Sequence, residues 1–181
     1  MRTIVSALAL ALLAMPGTAL ANLPVGAKAP AFSTQGARAG KDVAFNLQQA
    51  LRKGPVVLYF YPKAFTQGCT LEAHAFAEAT PEFAKYGATV IGMSADDLPT
   101  LRRFSTEECR DKFTVGIAKP EVIKAYDVAL KRDAAPSGVT NRTSYVIAPD
   151  GRIAFVHSDL DYRGHVTQTL AAVKALKANK R

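Results

Sequence analysis

One cysteine, Cys69, stands in a sequence context that can make its sulfur reactive. The continuous apolar run 56–61 predicts a strand buried on both faces, and Pro62 ends it because proline lacks the N–H that continues a ladder. A short loop containing Gly68 follows, and residues 70–79 predict a helix, so Cys69 lies on or just before its first turn. The free N–H groups and the partial positive charge of a helix start favour a thiolate, the nucleophilic form of cysteine.

The chain has a second cysteine, Cys109, and the pair allows two interpretations. In an oxidising compartment, two cysteines form a structural disulfide by default. Residues 22–181 make a domain of 160 residues, which can build a core without such a cross-link. A cysteine at a helix start is also well placed for reactivity. The residues alone leave both interpretations open.

Strands and helices alternate along the rest of the chain, which is typical of an α/β domain. Beyond the Cys69 helix, the pattern predicts a strand at 88–93, a helix entered at 94–99 and ending near Cys109, a strand at 114–118, a helical turn at 120–126, a hairpin of strands 143–148 and 152–157, and a helix at 166–178. Right-handed crossovers place the first strands parallel, and the hairpin adds antiparallel strands. This order predicts a thioredoxin-like α/β fold, with a central mixed sheet flanked by helices and an N-terminal extension.

The sequence also predicts the local structure of four other segments. Residues 22–46 predict loops and small strands at an edge of the domain, and 47–53 a short helix. Pro81 should interrupt the Cys69 helix with a kink or a second short helix. Residues 131–141 are polar and contain proline and glycine, so they predict a surface loop.

Residues 1–21 have the layout of a secretory signal peptide. Arg2 gives a basic start, 4–15 is an apolar run, and 19–21 form a small-residue cleavage site. The run is too short to span about 30 Å of hydrocarbon, so no stable membrane insertion is expected after cleavage. The predicted domain organisation is a signal peptide at 1–21 and one domain at 22–181, exported to the periplasm or secreted.

The net charge of the whole chain is +8, with 23 basic and 15 acidic residues. Loss of Arg2 with the leader leaves 22 basic residues and a net charge of +7. The basic residues are dispersed rather than clustered, so no nucleic-acid binding is expected.

The segment around Cys69 resembles a known family. Pro62, Thr66 and Cys69 fit the pattern P-x-x-x-T-x-x-C, which is the signature of the peroxiredoxins. The flanking stretches 58–63 and 68–72 resemble the bacterioferritin-comigratory (PrxQ) branch of that family. Three further segments extend the resemblance over most of the domain: 29–32, 94–96 and 141–147.

The resemblance implies a thiol-dependent peroxidase for hydrogen peroxide and organic hydroperoxides, with Cys69 as the peroxidatic nucleophile. Thr66 would hydrogen-bond the peroxide, and Pro62 would shield the sulfur from water. Arg142 would favour the thiolate and stabilise the oxygen that leaves as an anion. Glu72 would orient Arg142 or the loop, although a contact with the helix dipole explains it equally well.

The same resemblance bears on the second cysteine. One PrxQ subgroup has its resolving cysteine five residues after the peroxidatic one, where this chain has His74. Another subgroup has it on the helix after the second strand, so Cys109 is expected to resolve the Cys69 sulfenic acid in an intramolecular disulfide. A one-cysteine cycle completed by an external thiol, or an inert Cys109 in the core, are the alternatives. A peroxidase of this kind has a thioredoxin-like or other thiol reductant as its partner, and the branch implies a monomer.

Other functions on the same fold fit the residues less well. A thiol–disulfide oxidoreductase needs C-x-x-C, and Thr66 occupies the first position of that motif here. No cofactor or metal is expected, because His74, His157 and His165 lack the spacing of copper ligands and are predicted to be surface residues. A non-catalytic exported binding domain is the third possibility.

Overall fold

The structure is a computed structural model that describes residues 22–132 and 135–178, so the predicted signal peptide lies outside it. The strands are β1 (Ser33–Arg38), β2 (Lys41–Asn46), β3 (Val56–Phe60), β4 (Thr89–Ser94), β5 (Thr114–Ile117), β6 (Ala129–Arg132), β7 (Ala135–Thr140), β8 (Thr143–Ile147) and β9 (Ile153–Ser158). The helices are α1 (Leu47–Leu51), α2 (Gln67–Lys85), α3 (Leu98–Glu107), α4 (Pro120–Ala125) and α5 (His165–Ala178). In the part of the chain that the structure describes, no helix is long and apolar enough to cross a membrane.

Seven strands form one mixed sheet in the order β2-β1-β5-β4-β3-β8-β9. Strands β3, β4 and β5 run parallel, with Leu58 opposite Ile91, and β8 pairs antiparallel with β3. Strands β1 and β2 form the antiparallel edge that was expected for the N-terminal segment. The predicted mixture of parallel strands and an antiparallel hairpin is therefore confirmed.

Strand β3 is buried on both faces, as its apolar run predicts. Leu58 and Phe60 face one apolar cluster, while Val57 and Tyr59 face the other. The second cluster lies under α2 and includes both cysteines. The site is thus built at the end of a strand whose residues are all buried.

Of the two outcomes predicted at Pro81, the second short helix is wrong, because α2 runs unbroken from Gln67 to Lys85. The kink stays a prediction. An interior proline costs about 3 kcal/mol, since it removes a hydrogen bond and crowds the preceding turn. Phe76 and Phe83 on either side of Pro81 are fully buried and stack with ring centroids 6.1 Å apart. Tertiary packing of these rings offsets the local cost.

The surface loop predicted at 131–141 is also wrong, because this segment lies mostly in the two-stranded ribbon of β6 and β7. Pro136 lies opposite Lys131, and a narrow ribbon with open edges tolerates the missing N–H. Thr140 at the end of the ribbon is buried and donates a hydrogen bond to the carbonyl of Tyr61 (2.7 Å). This bond attaches the ribbon to the end of β3, next to the Cys69 loop.

Candidate active site

The sulfur of Cys69 lies at the start of α2, as the sequence predicts. Thr66 is the N-cap residue with extended backbone angles, and Cys69 is the third residue of the helix. Only 2% of Cys69 is exposed. Its sulfur therefore sits close to the helix N-terminus, where the backbone dipoles favour negative charge.

Arg142 makes three contacts that fix its guanidinium over this sulfur. Its Nη2 donates to Sγ of Cys69 at 3.4 Å, and its Nε donates to the carbonyl of Leu160 at 2.9 Å. Its Nη1 donates to Oε2 of Glu72. Arg142 is only 5% exposed, so its charge acts on the sulfur with little screening by water.

Glu72 lies one turn after Cys69 and is completely buried. Of the two interpretations of this residue, the structure favours the contact with Arg142, while its Oε1 has no hydrogen-bond partner among the described residues. Burial raises the pKa of Glu72 to about 8, although the guanidinium of Arg142 acts to lower it. The functional role of Glu72 stays a prediction.

The loop before α2 carries Thr66 and Pro62. The hydroxyl of Thr66 is exposed and donates to the carbonyl of Lys63 (2.9 Å), which leaves its oxygen able to accept a hydrogen bond. Phe65 has a φ of 63°, a conformation that is strained for a non-glycine residue. Pro62 is half-buried between this loop and β3. Their proposed roles toward a peroxide stay predictions.

The carboxylate of Asp96 holds this loop in place. The sequence indicated Asp96 only as part of the segment 94–96. Oδ2 of Asp96 accepts hydrogen bonds from the Ala64 amide and from the Ser94 hydroxyl, both at 2.8 Å. These bonds join the loop to the end of β4. The segment 94–96 therefore supports the site rather than lining it.

His165, the first residue of α5, is the main residue that sequence reasoning missed. It was predicted to be a surface residue, and this is wrong because its side chain is completely buried. Its Nδ1 lies 2.8 Å from the Ser144 hydroxyl and 3.7 Å from Oε1 of Glu72, and its Nε2 lies 3.0 Å from the carbonyl of Asp159. Burial lowers the pKa of His165 to about 4, helped by His157, whose ring lies 4.5 Å away.

Cys109 is also a free thiol and is completely buried, just beyond the end of α3. Burial raises its pKa well above the usual value, and the nearby Glu108 and Asp111 raise it further. In the folded state Cys109 is therefore protonated and poorly nucleophilic. The structure contains neither a Cys69–Cys109 disulfide nor, among the described residues, a cluster of side chains suited to a metal ion.

Comparisons with known proteins agree with this geometry. The sequence profile of the AhpC/TSA family matches residues 25–156. Peroxiredoxin Bcp of Xanthomonas campestris pv. campestris is 30% identical over 122 residues, which cover 66% of this chain and 76% of that protein. Peroxiredoxin Bcp of Bacillus subtilis is 28% identical over 156 residues, which cover 84% of this chain and 96% of that protein.

Solved structures give the same result. The crystal structure of peroxidoxin BcpB from Mycobacterium tuberculosis superimposes with a TM-score of 0.73 at 29% identity, covering 83% of this chain and 96% of that one. The Xanthomonas campestris bacterioferritin comigratory protein gives a TM-score of 0.69 at 27% identity, covering 79% and 91%.

A thioredoxin-like fold with an arginine-paired cysteine at the start of a helix defines a thiol-dependent peroxidase. The chain belongs to the AhpC/TSA family and, within it, to the Bcp/PrxQ branch of the peroxiredoxins. It is accordingly an oxidoreductase. The membership in the peroxiredoxins that the motif around Cys69 predicts is therefore confirmed.

Proposed function

We propose that the chain is an exported peroxidase that reduces hydrogen peroxide and organic hydroperoxides through Cys69. The observation that carries this proposal is the 3.4 Å contact between Nη2 of Arg142 and the buried sulfur. A guanidinium is permanently charged and donates in a fixed plane. It can therefore stabilise the thiolate before the reaction and the oxygen anion that leaves during it.

The reaction transfers one oxygen atom to sulfur. The thiolate attacks the terminal oxygen of ROOH, an S–O bond forms as the O–O bond breaks, and the electron pair leaves with RO⁻. A proton converts RO⁻ to water or an alcohol, and Cys69 becomes a sulfenic acid. Thr66 accepts a hydrogen bond from the peroxide through its exposed oxygen, and Pro62 limits access of water to the sulfur.

Organic hydroperoxides are included because an exposed apolar side chain directly precedes Thr66. This residue is Phe65, which is 37% exposed. The Xanthomonas campestris bacterioferritin comigratory protein is described as having an alkyl peroxide reduction activity. In the present chain, an alkyl group can pack against Phe65 while the peroxide group reaches the sulfur.

The experiment is peroxide consumption with dithiothreitol as the reductant, using hydrogen peroxide and an alkyl hydroperoxide in parallel. Cys69→Ser should abolish consumption of both, whereas Cys109→Ser should still turn over because dithiothreitol can reduce the sulfenic acid directly. Retention of activity in Cys69→Ser would contradict the proposal.

Cys109 is proposed to resolve the sulfenic acid by forming a disulfide with Cys69, with loss of water. Its burial means that the segment after α3 must first open. Arg110 and Asp111 directly after it have φ values of 49° and 60°, so opening would also relieve backbone strain. Mass spectrometry after one equivalent of peroxide should detect a peptide that links the two cysteines. Without that peptide, Cys109 is not the resolving residue.

The disulfide would be reduced by a thioredoxin-type protein in the compartment to which the chain is exported, and the chain would act as a monomer. The proposal that the chain is exported rests on the predicted signal peptide at residues 1–21. Intact-mass analysis of secreted or periplasmic protein should give a chain that begins at Asn22. Retention of the full leader in the cytoplasm would contradict export without affecting the peroxidase proposal.

A further inference from the structure

The buried site contains two acids and one permanent cation. Cys69 and Glu72 are the acids, and both contact the guanidinium of Arg142. In a buried site of low dielectric constant, a single cation balances one anion well and two anions poorly. A negative charge on one acid therefore opposes a negative charge on the other.

His165 lies beside Glu72 but supplies it with no hydrogen-bond donor. Its Nε2 lies 3.0 Å from the carbonyl of Asp159, and a carbonyl can only accept, so Nε2 carries a hydrogen. In the neutral imidazole Nδ1 is then an acceptor, to which Ser144 donates at 2.8 Å. The one lone pair of Nδ1 is then used by Ser144, so His165 has no hydrogen to donate to Oε1 of Glu72, which lies 3.7 Å from Nδ1.

This arrangement is unfavourable for an ionised Glu72. Its Oε1 is completely buried, has no hydrogen-bond donor among the described residues, and lies 3.7 Å from an Nδ1 that carries no hydrogen. An unpaired carboxylate oxygen in such a position loses its hydration without compensation. A protonated carboxyl group costs less because it carries no charge, while its Oε2 continues to accept from Arg142.

The other groups that face Glu72 do not supply the missing positive charge. Tyr59 on β3 is buried, and burial raises its pKa well above 10, so it is a neutral phenol. His157 on β9 packs against His165 and lowers its pKa, which keeps that imidazole neutral. Asp161 lies beyond Arg142 and pairs with Arg163 at the surface. Arg142 is the one cation that contacts Glu72 in the described part of the chain.

We propose that Glu72 holds the proton of the reduced site as a neutral carboxylic acid, so that the charge of Arg142 is directed to the Cys69 thiolate. Glu72 is then a positioning residue that acts through the charge of Arg142, and the neutral His165 beside it offers no hydrogen that would stabilise the ionised form. The upward shift of the Glu72 pKa that burial produces agrees with this assignment.

The proton balance of the oxidation step follows. When the thiolate attacks ROOH, sulfur is oxidised to a neutral sulfenic acid and the O–O bond is reduced to RO⁻. Arg142 has then lost its anionic partner at sulfur, so Glu72 ionises and releases its proton to solvent. RO⁻ takes up a proton from solvent, and the sum is Cys69–S⁻ + Glu72–COOH + ROOH → Cys69–SOH + Glu72–COO⁻ + ROH.

The inference rests on the proposed role of Cys69, but its test uses no peroxide, so the two can fail separately. In the full-length Cys109→Ser protein near neutral pH, ultraviolet absorbance reports the Cys69 thiolate. Alkylation with iodoacetamide then removes the sulfur's negative charge without itself transferring a proton. A pH indicator in weak buffer counts the protons that appear.

If the thiolate is present and Glu72 holds the proton, alkylation should release about one proton per sulfur, by linkage. In a further Glu72→Gln variant, which mimics a neutral carboxyl, the thiolate should persist and the proton release should vanish. Three results would overturn the inference: a protonated sulfur in the starting protein, no proton release despite a thiolate, or release that Glu72→Gln leaves unchanged.

An infrared difference spectrum before and after alkylation tests the same point without a substitution at Glu72, should Glu72→Gln not fold. The band of a protonated carboxyl should be present in the reduced protein and lost on alkylation. Its absence before alkylation would contradict the assignment.

Discussion

Nε2 of His74 lies 2.6 Å from Oε2 of Glu108, and this contact joins helix α2 to the residue that precedes Cys109. A second ion pair, between Arg110 and Glu78 at 3.0 Å, joins the same two segments. Both side chains of the first pair are only partly exposed, at 29% and 19%. The two pairs therefore hold the segment of Cys109 against the helix that carries Cys69.

Loss of the His74–Glu108 pair should make Cys109 more accessible. We expect His74→Ala to raise the rate of Cys109 alkylation about fivefold, because a partly buried pair contributes about 1 kcal/mol to the closed state. The rate is measured in a Cys69→Ser background so that only one thiol reacts. Lys85→Ala, which removes an exposed pair with Glu82 on the same helix, should leave the rate unchanged. Equal rates in both variants would show that the His74 contact does not restrain Cys109.

The guanidinium of Arg142 cannot be replaced by an ammonium. Arg142→Lys keeps the charge but cannot reach Cys69, Glu72 and Leu160 together, since those contacts use three different nitrogens. We expect the second-order rate constant for hydrogen peroxide to fall by about 100-fold. Arg163→Lys, at an exposed arginine paired with Asp161, is the matched control. A loss no larger than that of the control would remove Arg142 from the reaction.

The hydroxyl of Thr66 should matter through its oxygen rather than its methyl group. We expect Thr66→Val to lower the rate constant by about 10- to 100-fold, because the oxygen that holds the peroxide is lost. Thr66→Ser keeps the hydroxyl and should retain most of the rate. If valine and serine are equivalent at this position, the hydrogen bond to the peroxide is not made by Thr66.

The stability of the fold should depend on pH through Glu72 and His165 in opposite directions. Burial raises the Glu72 pKa from 4.5 to about 8, so its contribution to stability is complete below pH 4.5 and is lost as the pH rises through 8. The His165 pKa is lowered from 6.5 to about 4, so its contribution is complete above pH 6.5 and is lost as the pH falls through 4. The two changes largely cancel between about pH 4.5 and 6.5.

Above that range only the Glu72 contribution changes. We expect the free energy of unfolding to fall by about 2 kcal/mol between pH 6.5 and 8, measured by urea denaturation at several pH values. Glu72→Gln cannot titrate and should give a flatter profile over the same range. The same slope in both proteins would mean that Glu72 is not responsible for it.

The sequence identified the reactive cysteine because its signal is local. Pro62, Thr66 and Cys69 lie in one short segment between a buried strand and a helix, and the local pattern alone predicts the strand end and a helix that starts near Cys69. Arg142 is 73 positions from Cys69 and was predicted through the family resemblance rather than through spacing. The predictions of a second short helix at Pro81 and of a loop at 131–141 failed because packing by Phe76, Phe83 and Thr140 outweighs local propensity.

What the sequence by itself determined is the type of chemistry: a thiolate at a helix start, with a hydroxyl three residues before it and an acid three residues after it. What only the tertiary structure decided is the protonation state of the groups that carry out that chemistry. His165, Ser144 and the carbonyls of residues 159 and 160 come from distant parts of the chain and carry no pattern that marks them. Burial and hydrogen bonding set which groups hold protons, and both depend on how segments pack rather than on how residues are spaced.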